Sequence, residues 1–364
     1  MKVLIAGGGT GGHLFPGIAV AEEVLSRGGE VLFVGTARGI EARVLPELGL
    51  PLRTIRVGGL AGVSWRQRLR FLVEGPIAAA QTVRILRRFR PQVVAGVGGY
   101  SSGPVVLTAA LGFIPTVILE QNSVPGVTNR LLGRVVRQVF GAFEQSRQHF
   151  PRRKMALPGN PVRRAIVDSL QRHARPATAR ANGRLRVFAF GGSQGARFIN
   201  ECLMEAAPML ADAPVALLHQ TGEADHLRVR RAYADAGLDA EVHPFIDDMA
   251  ARYAWTDLIV SRAGATTLAE LAIVGRPAVL IPFPHATHDH QARNAREFEE
   301  AGAALCRPQD GLDGSGLADL IGRLAADEPR RSRMAEAMQR LARPRAAADI
   351  VDQLEVLATR RRRP

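Results

Sequence analysis

The sequence predicts an α/β protein built from two Rossmann-like, doubly wound domains. Short apolar segments alternate with amphipathic ones, and a glycine-rich turn follows the first apolar segment near residue 7. The same order of strand, glycine turn and helix begins again near residue 184. Such alternation is typical of a parallel sheet with helices on both faces. The 364 residues suit two domains, since a domain holds roughly 100–200 residues.

The first half of the chain supplies one set of elements. Residues 3–6 predict a strand, and an amphipathic helix follows the glycine turn to about Ser26. Further strands are predicted from short apolar runs at residues 30–34, 92–96 and 116–119. Apolar runs bounded by glycine or proline suit strands that are buried on both faces of a sheet.

The second half repeats this pattern. A strand over residues 184–190 leads through a second glycine turn into a helix from about Ala196. Residues 316–357 have helical periodicity that Pro344 interrupts, and the polar residues 171–182 are expected to form a loop. The other strands of this half are predicted at residues 215–220, 241–244, 258–261 and 278–281.

The segment Pro158-Gly159-Asn160-Pro161 has the composition of a linker. We therefore expect an N-terminal domain over residues 1–161 and a C-terminal domain over residues 162–342. Ligands of open α/β sheets bind beyond the carboxyl ends of the strands. Here those ends carry the glycine turns, so two such domains in tandem are expected to face a common cleft.

Composition limits the class of protein. The net charge is +14, and lysine occurs only at Lys2 and Lys154, so arginine supplies nearly all of the positive charge. A basic protein suits anionic lipid, a phosphorylated substrate or nucleic acid, although genome composition alone also enriches arginine. The isolated Cys202 and Cys306 suit buried thiols in a reducing cytoplasm rather than a disulfide. No apolar run approaches the roughly 18 residues of a membrane-spanning helix, and no signal peptide is expected.

The first glycine turn, Gly7-Gly8-Gly9-Thr10-Gly11-Gly12, contains a G-x-G-x-x-G pattern. Such a turn lets the backbone approach a diphosphate at a helix N-terminus. It also suits a nicotinamide dinucleotide, but the second strand ends without the acidic residue that would bind the ribose. Arg38 is then the one candidate for an NADP phosphate, so this alternative stays open.

His13 follows the turn at the start of the predicted helix. The helix N-terminus favours the neutral, proton-accepting form of imidazole. We predict that His13 is a general base or contacts substrate. The alternative is a structural residue of the helix start.

Polar and glycine-rich turns follow four more strands. Gly96-Val97-Gly98-Gly99-Tyr100-Ser101 and Glu120-Gln121-Asn122-Ser123 belong to the first half, and Gly191-Gly192-Ser193-Gln194-Gly195 to the second. In Ser261-Arg262-Ala263-Gly264-Ala265-Thr266-Thr267-Leu268-Ala269-Glu270 a strand leads into a helix whose N-terminus suits an anion. Glu270 is predicted to bind the two ribose hydroxyls, the alternative being a helix-capping role.

His285, His288, Asp289 and His290 form a polar cluster after Pro284. Histidine and aspartate are metal ligands. However, these residues are expected on a loop without paired helical spacing, and no remote set of ligands completes the site. Binding of sugar hydroxyls by Gln291 and Asn294 is therefore favoured over a metal site.

Residues 64–90 hold seven arginines against one acidic residue, with apolar residues at helical spacing. An apolar helix face rimmed by arginine is typical of contact with anionic lipid. An ordinary amphipathic helix packed on the sheet is the alternative, and nucleic acid is disfavoured because no binding motif is present. The residues predicted to meet the membrane are Trp65, Arg66, Leu69, Arg70, Leu72 and Val73.

Together these segments resemble the MurG family of UDP-N-acetylglucosamine transferases, which complete lipid II in peptidoglycan synthesis. The resemblance is carried in order by GGGTGGHLFPGIAVAEE from Gly7, GVGGYSSGP from Gly96, EQNSVPGVTNR from Glu120, GNPVR from Gly159, GGSQGA from Gly191, FIDDM from Phe245, SRAGATTLAE from Ser261 and PHATHDHQARNA from Pro284. Each segment is common alone, whereas the ordered set is specific. Family members often carry an acidic residue where His288 stands, so no charge-based role is carried over to this position.

The resemblance implies the GT-B fold, with a C-terminal helix over residues 343–364 that packs back on the first domain. It implies a donor, UDP-N-acetylglucosamine, bound mainly by the second domain. The implied donor contacts are Thr10, Gly11, Gly12, Asn122, Arg163, Ser193, the backbone of Ile246, Ala265, Thr266, Thr267, Leu268, Glu270 and Gln291. The implied acceptor contacts are Gly98, Gly99, Tyr100, Ser101 and Gln121.

The implied reaction is an inverting transfer to the C4 hydroxyl of the muramic acid of lipid I, with His13 as the candidate base. No metal or other cofactor is expected. The implied location is the cytoplasmic face of the bacterial cell membrane, as a peripheral protein, and the implied partners include cell-wall and division proteins. Three alternatives remain at this stage: a UDP-N-acetylglucosamine 2-epimerase, an NADP-dependent oxidoreductase and a non-catalytic lipid-binding scaffold.

Overall fold

The computed structural model describes residues 1–57, 65–172, 183–192, 195–286 and 289–360. The chain divides into two compact units. The N-terminal unit comprises Met1–Arg164 together with Pro344–Pro364, and the C-terminal unit comprises Ala165–Arg343. The division therefore falls three residues beyond the predicted linker.

The N-terminal unit contains a seven-stranded sheet in the order β3-β2-β1-β4-β5-β6-β7, in which every pairing is parallel. The order reverses direction on either side of β1, which is the mark of a doubly wound sheet. The predicted alternation of strands and helices is thus confirmed. The strands are β1 (Lys2–Gly7), β2 (Glu30–Gly35), β3 (Leu52–Thr54), β4 (Val93–Gly98), β5 (Thr116–Glu120), β6 (Gln138–Gly141) and β7 (Met155–Ala156).

Helices cover this sheet. Pro16 in α1 and Pro76 in α3 do not end their helices. The helices are α1 (Gly11–Ser26), α2 (Glu41–Glu47), α3 (Trp65–Phe89), α4 (Ser102–Leu111), α5 (Val127–Leu132) and, from the C-terminal end of the chain, α14 (Ala346–Arg360). Two short 3₁₀ helices span Glu144–His149 and Arg152–Lys154.

Strand β1 shows how the core is divided between the two faces of the sheet. Val3 and Ile5 belong to one buried cluster, and Leu4 and Ala6 to another, because side chains alternate along a strand. The first cluster is completed by α1 and by Ile350, Val351, Leu354 and Ala358 of α14. A buried isoleucine, valine or leucine side chain contributes roughly 1.5–3 kcal/mol, so apolar packing contributes strongly to holding α14 in this unit.

The C-terminal unit contains a six-stranded parallel sheet in the order β10-β9-β8-β11-β12-β13. Its strands are β8 (Leu185–Phe190), β9 (Val215–Gln220), β10 (Ala240–His243), β11 (Leu258–Ser261), β12 (Ala278–Leu280) and β13 (Ala304–Cys306). Its helices are α6 (Arg164–Arg172), which begins at the unit boundary, α7 (Arg197–Ala211), α8 (His226–Asp235), α9 (Met249–Trp255), α10 (Ala265–Val274), α11 (His290–Glu300), α12 (Gly314–Ala326) and α13 (Glu328–Leu341).

Two sequence predictions about this half were wrong in part. The expected loop at residues 171–182 begins with two residues of α6, and the rest that was predicted lies outside the described residues. The C-terminal helical segment is interrupted at Asp327 as well as near Pro344. Asp327 starts α13 because its side chain accepts a hydrogen bond from the Arg330 amide at 2.9 Å, which is a helix-capping contact.

Candidate functional site

The first two glycine loops of the N-terminal unit touch through their backbones. We name residues 7–12 the first glycine loop and residues 98–101 the second. The Gly8 amide donates to the Gly98 carbonyl oxygen at 3.3 Å. A Cβ atom at Gly7 would collide with that carbonyl oxygen, and one at Gly99 with the backbone of Gly8. Glycine is therefore required by the close approach of the two loops.

His13 lies in the first turn of α1, against the second glycine loop and the end of β5. Its Nδ1 atom is 3.2 Å from Oε1 of Gln121, and Nε2 of Gln121 donates to the Val97 carbonyl oxygen at 3.1 Å. A Cβ atom at Gly98 would lie only 2.6 Å from His13 Nδ1. The structure thus brings together three motifs that the sequence offered separately.

Glu41 of α2 was not predicted from the sequence, yet it supports the first glycine loop. Its carboxylate accepts hydrogen bonds from the Gly9 amide at 2.7 Å and from the amide and hydroxyl of Thr36 at 2.8 and 2.9 Å. The side chain is fully buried. Cβ atoms at Gly8 and Gly39 would collide with this carboxylate, so the glycines around it make room for a buried anion.

This internal carboxylate argues against the dinucleotide hypothesis. A phosphate group bound by the first glycine loop would compete for the Gly9 amide that Glu41 already accepts. A second anion would also be repelled by a buried carboxylate. Arg38, the candidate for an NADP phosphate, is exposed. Of the three glycines in the G-x-G-x-x-G pattern, Gly7 is explained by internal packing, because a Cβ atom there would meet the Gly98 carbonyl oxygen.

Glu120 is a second buried carboxylate, at the end of β5. Its oxygens accept hydrogen bonds from the Asn122 amide at 3.0 Å and from Nδ2 of Asn129 at 2.9 Å. Burial raises the pKa of Glu120 to about 7, and the hydrogen bonds offset part of this effect. The carboxylate holds the turn that carries Gln121 and Asn122.

The predicted ligand contacts of the N-terminal unit differ in exposure. Thr10, Gly12 and Tyr100 are exposed, whereas Ser101 and Gln121 are buried. The remaining ones are Gly11, Gly99 and Asn122, which are half-buried, and Gly98, which is buried. Their roles as donor or acceptor contacts remain predictions.

Arg163 belongs to the N-terminal unit, although it was predicted to contact the donor held mainly by the second domain. Its guanidinium carbon lies 4.6 Å from the centroid of the Phe15 ring in α1. This cation–π contact fixes the side chain beside the first turns of α1.

In the C-terminal unit, Gln220 connects two segments that were predicted to bind the donor. Its Nε2 donates to the Gly192 carbonyl oxygen at 2.9 Å, and its Oε1 accepts from the Ile246 amide at 3.1 Å. The Ile246 amide is thus used inside the protein, which leaves the carbonyl group as the backbone candidate for uracil. Ser193 lies outside the described residues.

The predicted anion site lies at the N-terminus of α10. Gly264 precedes the helix, Thr266 and Thr267 are half-buried, and Ala265 and Leu268 are buried. The backbone amides of this first turn are the groups that suit a phosphate.

Glu270 lies in the second turn of α10, too far into the helix to cap it. Its Oε2 accepts a hydrogen bond from the hydroxyl of the buried Tyr253 at 2.9 Å. The capping alternative is therefore wrong, and the carboxylate is held by a neighbouring helix.

Arg262 and Gln291 both hold the segment around Phe283. The Arg262 guanidinium donates to the carbonyl oxygens of Ile281 and Pro282 at 3.0 and 3.1 Å. Burial lowers the pKa of Arg262 to about 10, which leaves it charged at neutral pH. Oε1 of Gln291 accepts from the Phe283 amide at 3.0 Å, so this side chain shapes the segment as well as being a predicted sugar contact.

The histidine cluster was expected on a loop, and His285 and Asp289 do precede α11, whereas the helix begins at His290 and includes Gln291 and the buried Asn294. His285 packs edge-to-face on Phe283, with ring centroids 5.6 Å apart. His288 lies outside the described residues. Within the described ranges, the structure contains no group of three or more histidine, cysteine or acidic side chains arranged for a metal ion.

The predicted membrane residues lie at the start of α3, and their side chains are outside the described part of the structure. Another set of apolar side chains is exposed on α4, on α5 and in the turns after them: Leu107, Leu111, Phe113, Val127, Leu131 and Val135. Arg130, Arg134 and Arg137 are exposed in the same segment. Among the helices that are described, none has the length and apolar character needed to cross a bilayer.

Comparison with known proteins covers nearly the whole chain. Family models match residues 3–141 (glycosyltransferase family 28 N-terminal domain) and residues 186–353 (glycosyltransferase family 28 C-terminal domain). The chain is 52% identical to the UDP-N-acetylglucosamine–N-acetylmuramyl-(pentapeptide) pyrophosphoryl-undecaprenol N-acetylglucosamine transferase of Myxococcus xanthus, over 97% of this chain and 92% of that protein.

Solved structures agree. The crystal structure of Acinetobacter baumannii MurG has a TM-score of 0.78 at 33% identity, covering 97% of this chain and 99% of that one. A UDP-N-acetylglucosamine 2-epimerase from Neisseria meningitidis has a TM-score of 0.67 at 15% identity, covering 97% and 99%, which shows a common fold.

Two doubly wound parallel units with these matches define a glycosyltransferase of the GT-B fold class, as the sequence predicted. The chain belongs to glycosyltransferase family 28 and, within it, to the MurG family.

Proposed function

We propose that the protein transfers N-acetylglucosamine from UDP-N-acetylglucosamine to the C4 hydroxyl of the muramic acid in lipid I, giving lipid II and UDP. The observation that carries the proposal is the 52% identity, over nearly the full chain, to a relative named for this transfer. Both family 28 domains are present in order. The similarity to an epimerase is weaker evidence of activity, because at 15% identity it concerns the fold alone.

The proposed chemistry is a direct displacement with inversion at the anomeric carbon. The C4 oxygen of the acceptor forms a bond to that carbon while the bond to the diphosphate oxygen breaks. The hydroxyl proton needs a base, and His13 is the candidate because it stands at the first glycine loop with a defined partner in Gln121. A positioned base contributes typically 10²–10⁴-fold, about 3–5 kcal/mol of barrier.

The leaving diphosphate needs positive charge or hydrogen-bond donors. The N-terminus of α10 offers the amides of its first turn and the hydroxyls of Thr266 and Thr267, and Glu270 is oriented by Tyr253 for the ribose hydroxyls. In this proposal Gln291 contacts the sugar, the Ile246 carbonyl group contacts uracil, and no metal is used. Turnover that survives a chelator would support the metal-free scheme.

The proposal places the protein at the cytoplasmic face of the cell membrane, as a peripheral protein. Apolar side chains are exposed on α4, on α5 and in the turns after them, with Phe113 88% exposed, and Arg130, Arg134 and Arg137 are exposed in the same part of the sequence. Apolar side chains flanked by arginine bind best to an anionic lipid surface. The same setting would bring the enzyme beside cell-wall and division proteins.

Vesicle binding tests this part of the proposal. Phe113→Ser is expected to weaken cosedimentation with vesicles containing phosphatidylglycerol, while binding to neutral phosphatidylcholine vesicles is weak throughout. Met209→Ser, which alters an exposed apolar residue of the C-terminal unit, is the control. Equal binding by both variants would remove this surface from the proposal.

The test of function measures UDP release from UDP-N-acetylglucosamine with and without a short-chain lipid I analogue. Release that depends on the acceptor, with labelled sugar in the lipid product, is expected. Conversion to another UDP-sugar without acceptor would favour the epimerase instead. His13→Ala should lower turnover far more than donor affinity, and near-normal turnover would remove His13 from the role of base.

A further inference from the structure

We infer that Gln121 is a positioning residue that fixes the tautomer of His13, so that Nδ1 carries the hydrogen and Nε2 carries the lone pair. The inference deepens the proposed function, on which it rests. Gln121 follows β5 directly and is 2% exposed. It lies 108 positions from His13 in the chain, and the sequence suggested only an acceptor contact for it.

The backbone decides the orientation of the Gln121 amide. The Val97 carbonyl oxygen can only accept a hydrogen bond, and it lies 3.1 Å from one end of the amide. The reversed orientation would place two acceptor oxygens against each other at that distance. Nε2 must therefore face Val97, which turns Oε1 towards His13.

The amide in turn decides the tautomer of the imidazole. Oε1 of Gln121 only accepts, and it lies 3.2 Å from Nδ1 of His13, so Nδ1 must be the donor. A neutral imidazole carries one hydrogen, so the lone pair then resides on Nε2. A general base needs its lone pair on a defined ring atom. The hydrogen bonds from Val97 through Gln121 to His13 place that lone pair on Nε2.

Gly98 holds the ring against the amide. A Cβ atom at this position would lie 2.6 Å from Nδ1 and 2.9 Å from Cε1 of His13. The Nδ1 edge of the ring therefore packs directly on the backbone of the second glycine loop. Since Nδ1 and Nε2 lie on different edges of the ring, Nε2 is directed away from Gln121.

The first experiment is ¹⁵N NMR of the histidine ring nitrogens in the full-length protein at pH 8, with His13 assigned by its loss in His13→Gln. Wild type is expected to show hydrogen on Nδ1. Gln121→Met keeps the side-chain length without the amide, and it should give a mixture of tautomers. A wild-type ring with hydrogen on Nε2, or a tautomer unchanged in Gln121→Met, would overturn the inference.

The second experiment is steady-state kinetics on the same variants. Gln121→Met should lower kcat on the order of 10- to 100-fold, by analogy with the loss of an orienting partner from a metal-ligating histidine. KM for UDP-N-acetylglucosamine should change little, and the loss should vanish in the His13→Gln background. A loss of equal size in that background would indicate a structural role instead. Gln92→Met is the control, because Gln92 also binds backbone, at the Lys2 amide on the opposite end of the sheet.

Gln121→Glu keeps the inference testable if the methionine variant is poorly folded. At this buried position a carboxyl group can donate its proton to the Val97 carbonyl oxygen and accept from Nδ1 with its other oxygen, so the hydrogen on Nδ1 and most of the turnover should be kept. Hydrogen on Nε2 in the ¹⁵N spectrum of this variant would count against the contact. Normal turnover in His13→Gln, with the tautomer still set by Gln121, would refute the base assignment alone.

Discussion

Glu41 is the residue whose replacement tests the architecture of the first glycine loop most directly. In Glu41→Gln the amide keeps the shape of the side chain, and its oxygen can still accept the two hydrogen bonds from Thr36. Its nitrogen, however, would face the Gly9 amide, which now donates to Oε2 at 2.7 Å. Two donors would then meet in a fully buried space.

The magnitude follows from these contacts. Loss of one hydrogen bond to a buried charged group costs about 1.5–3 kcal/mol, so we expect the free energy of unfolding to fall by about 2 kcal/mol. In Glu41→Ala all three hydrogen bonds are lost, and the cost should rise to about 4 kcal/mol or more. Because the first glycine loop carries Thr10 and leads into His13, kcat/KM should fall in both variants.

The assay combines urea unfolding, amide hydrogen exchange and transferase kinetics. Faster exchange is expected at Gly9 and Thr36 before it is seen in the strands. Added formate should partly restore activity to Glu41→Ala, because it supplies a carboxylate to the vacated space. Glu47→Gln, at an exposed position in the same helix, should stay within about 0.5 kcal/mol of wild type. Unchanged unfolding and unchanged exchange at Gly9 in Glu41→Gln would refute the reasoning.

Three further predictions concern the pH dependence of stability, the placement of His13 and the binding of UDP-N-acetylglucosamine. The raised pKa of Glu120, about 7 against an ordinary 4.5, means that the folded state holds its proton more tightly than the unfolded state. The contribution of Glu120 to the free energy of unfolding is therefore fully present below pH 4.5 and is lost as pH rises to about 7. This contribution is at most roughly 3 kcal/mol. Urea midpoints from pH 5 to 8 should fall more steeply in wild type than in Glu120→Gln. Gly98→Ala should lower kcat, because the added Cβ would displace His13. The control in the same kinetic assay is Gly28→Ala, where φ is also positive (+72°) but the added Cβ meets nothing within 4 Å. Tyr253→Phe should raise KM for UDP-N-acetylglucosamine about fivefold, since it removes a hydrogen bond to Glu270 of about 1 kcal/mol.

Each of these has an outcome that contradicts it. Equal pH slopes in wild type and Glu120→Gln would show that Glu120 does not titrate in this range. Equal losses in Gly98→Ala and Gly28→Ala would indicate backbone strain alone. For the donor, the control is Tyr233→Phe, another buried tyrosine of the C-terminal unit, which contacts His219 at 2.7 Å. An equal rise in KM in both tyrosine variants would separate Glu270 from donor binding.

The sequence alone determined the fold class and the position of each glycine loop. Central parallel strands such as β1 and β4 are buried on both faces, so they must be largely continuous apolar runs that are visible in the sequence. The glycine turns are visible for a similar reason, because close backbone approach tolerates no side chain.

The missed strands have a common physical cause. The four missed strands have only two to four residues and lie at or near the sheet edges, whereas the equally short β11 and β12 lie inside the sheet as apolar runs. These segments form strands because they pair with a neighbouring strand of the sheet. They are Leu52–Thr54, Gln138–Gly141, Met155–Ala156 and Ala304–Cys306.

The internal chemistry of the site was decided by tertiary structure. Glu41 meets Gly9 across 32 positions of the chain, and Gln121 meets His13 across 108. Nothing in the local sequence distinguishes these side chains from exposed polar residues. A carboxylate or amide holds a loop in shape only when the fold buries it against unpaired backbone groups. The sequence therefore determined where the loops are, and the packing of the sheet decided which side chains hold them in shape.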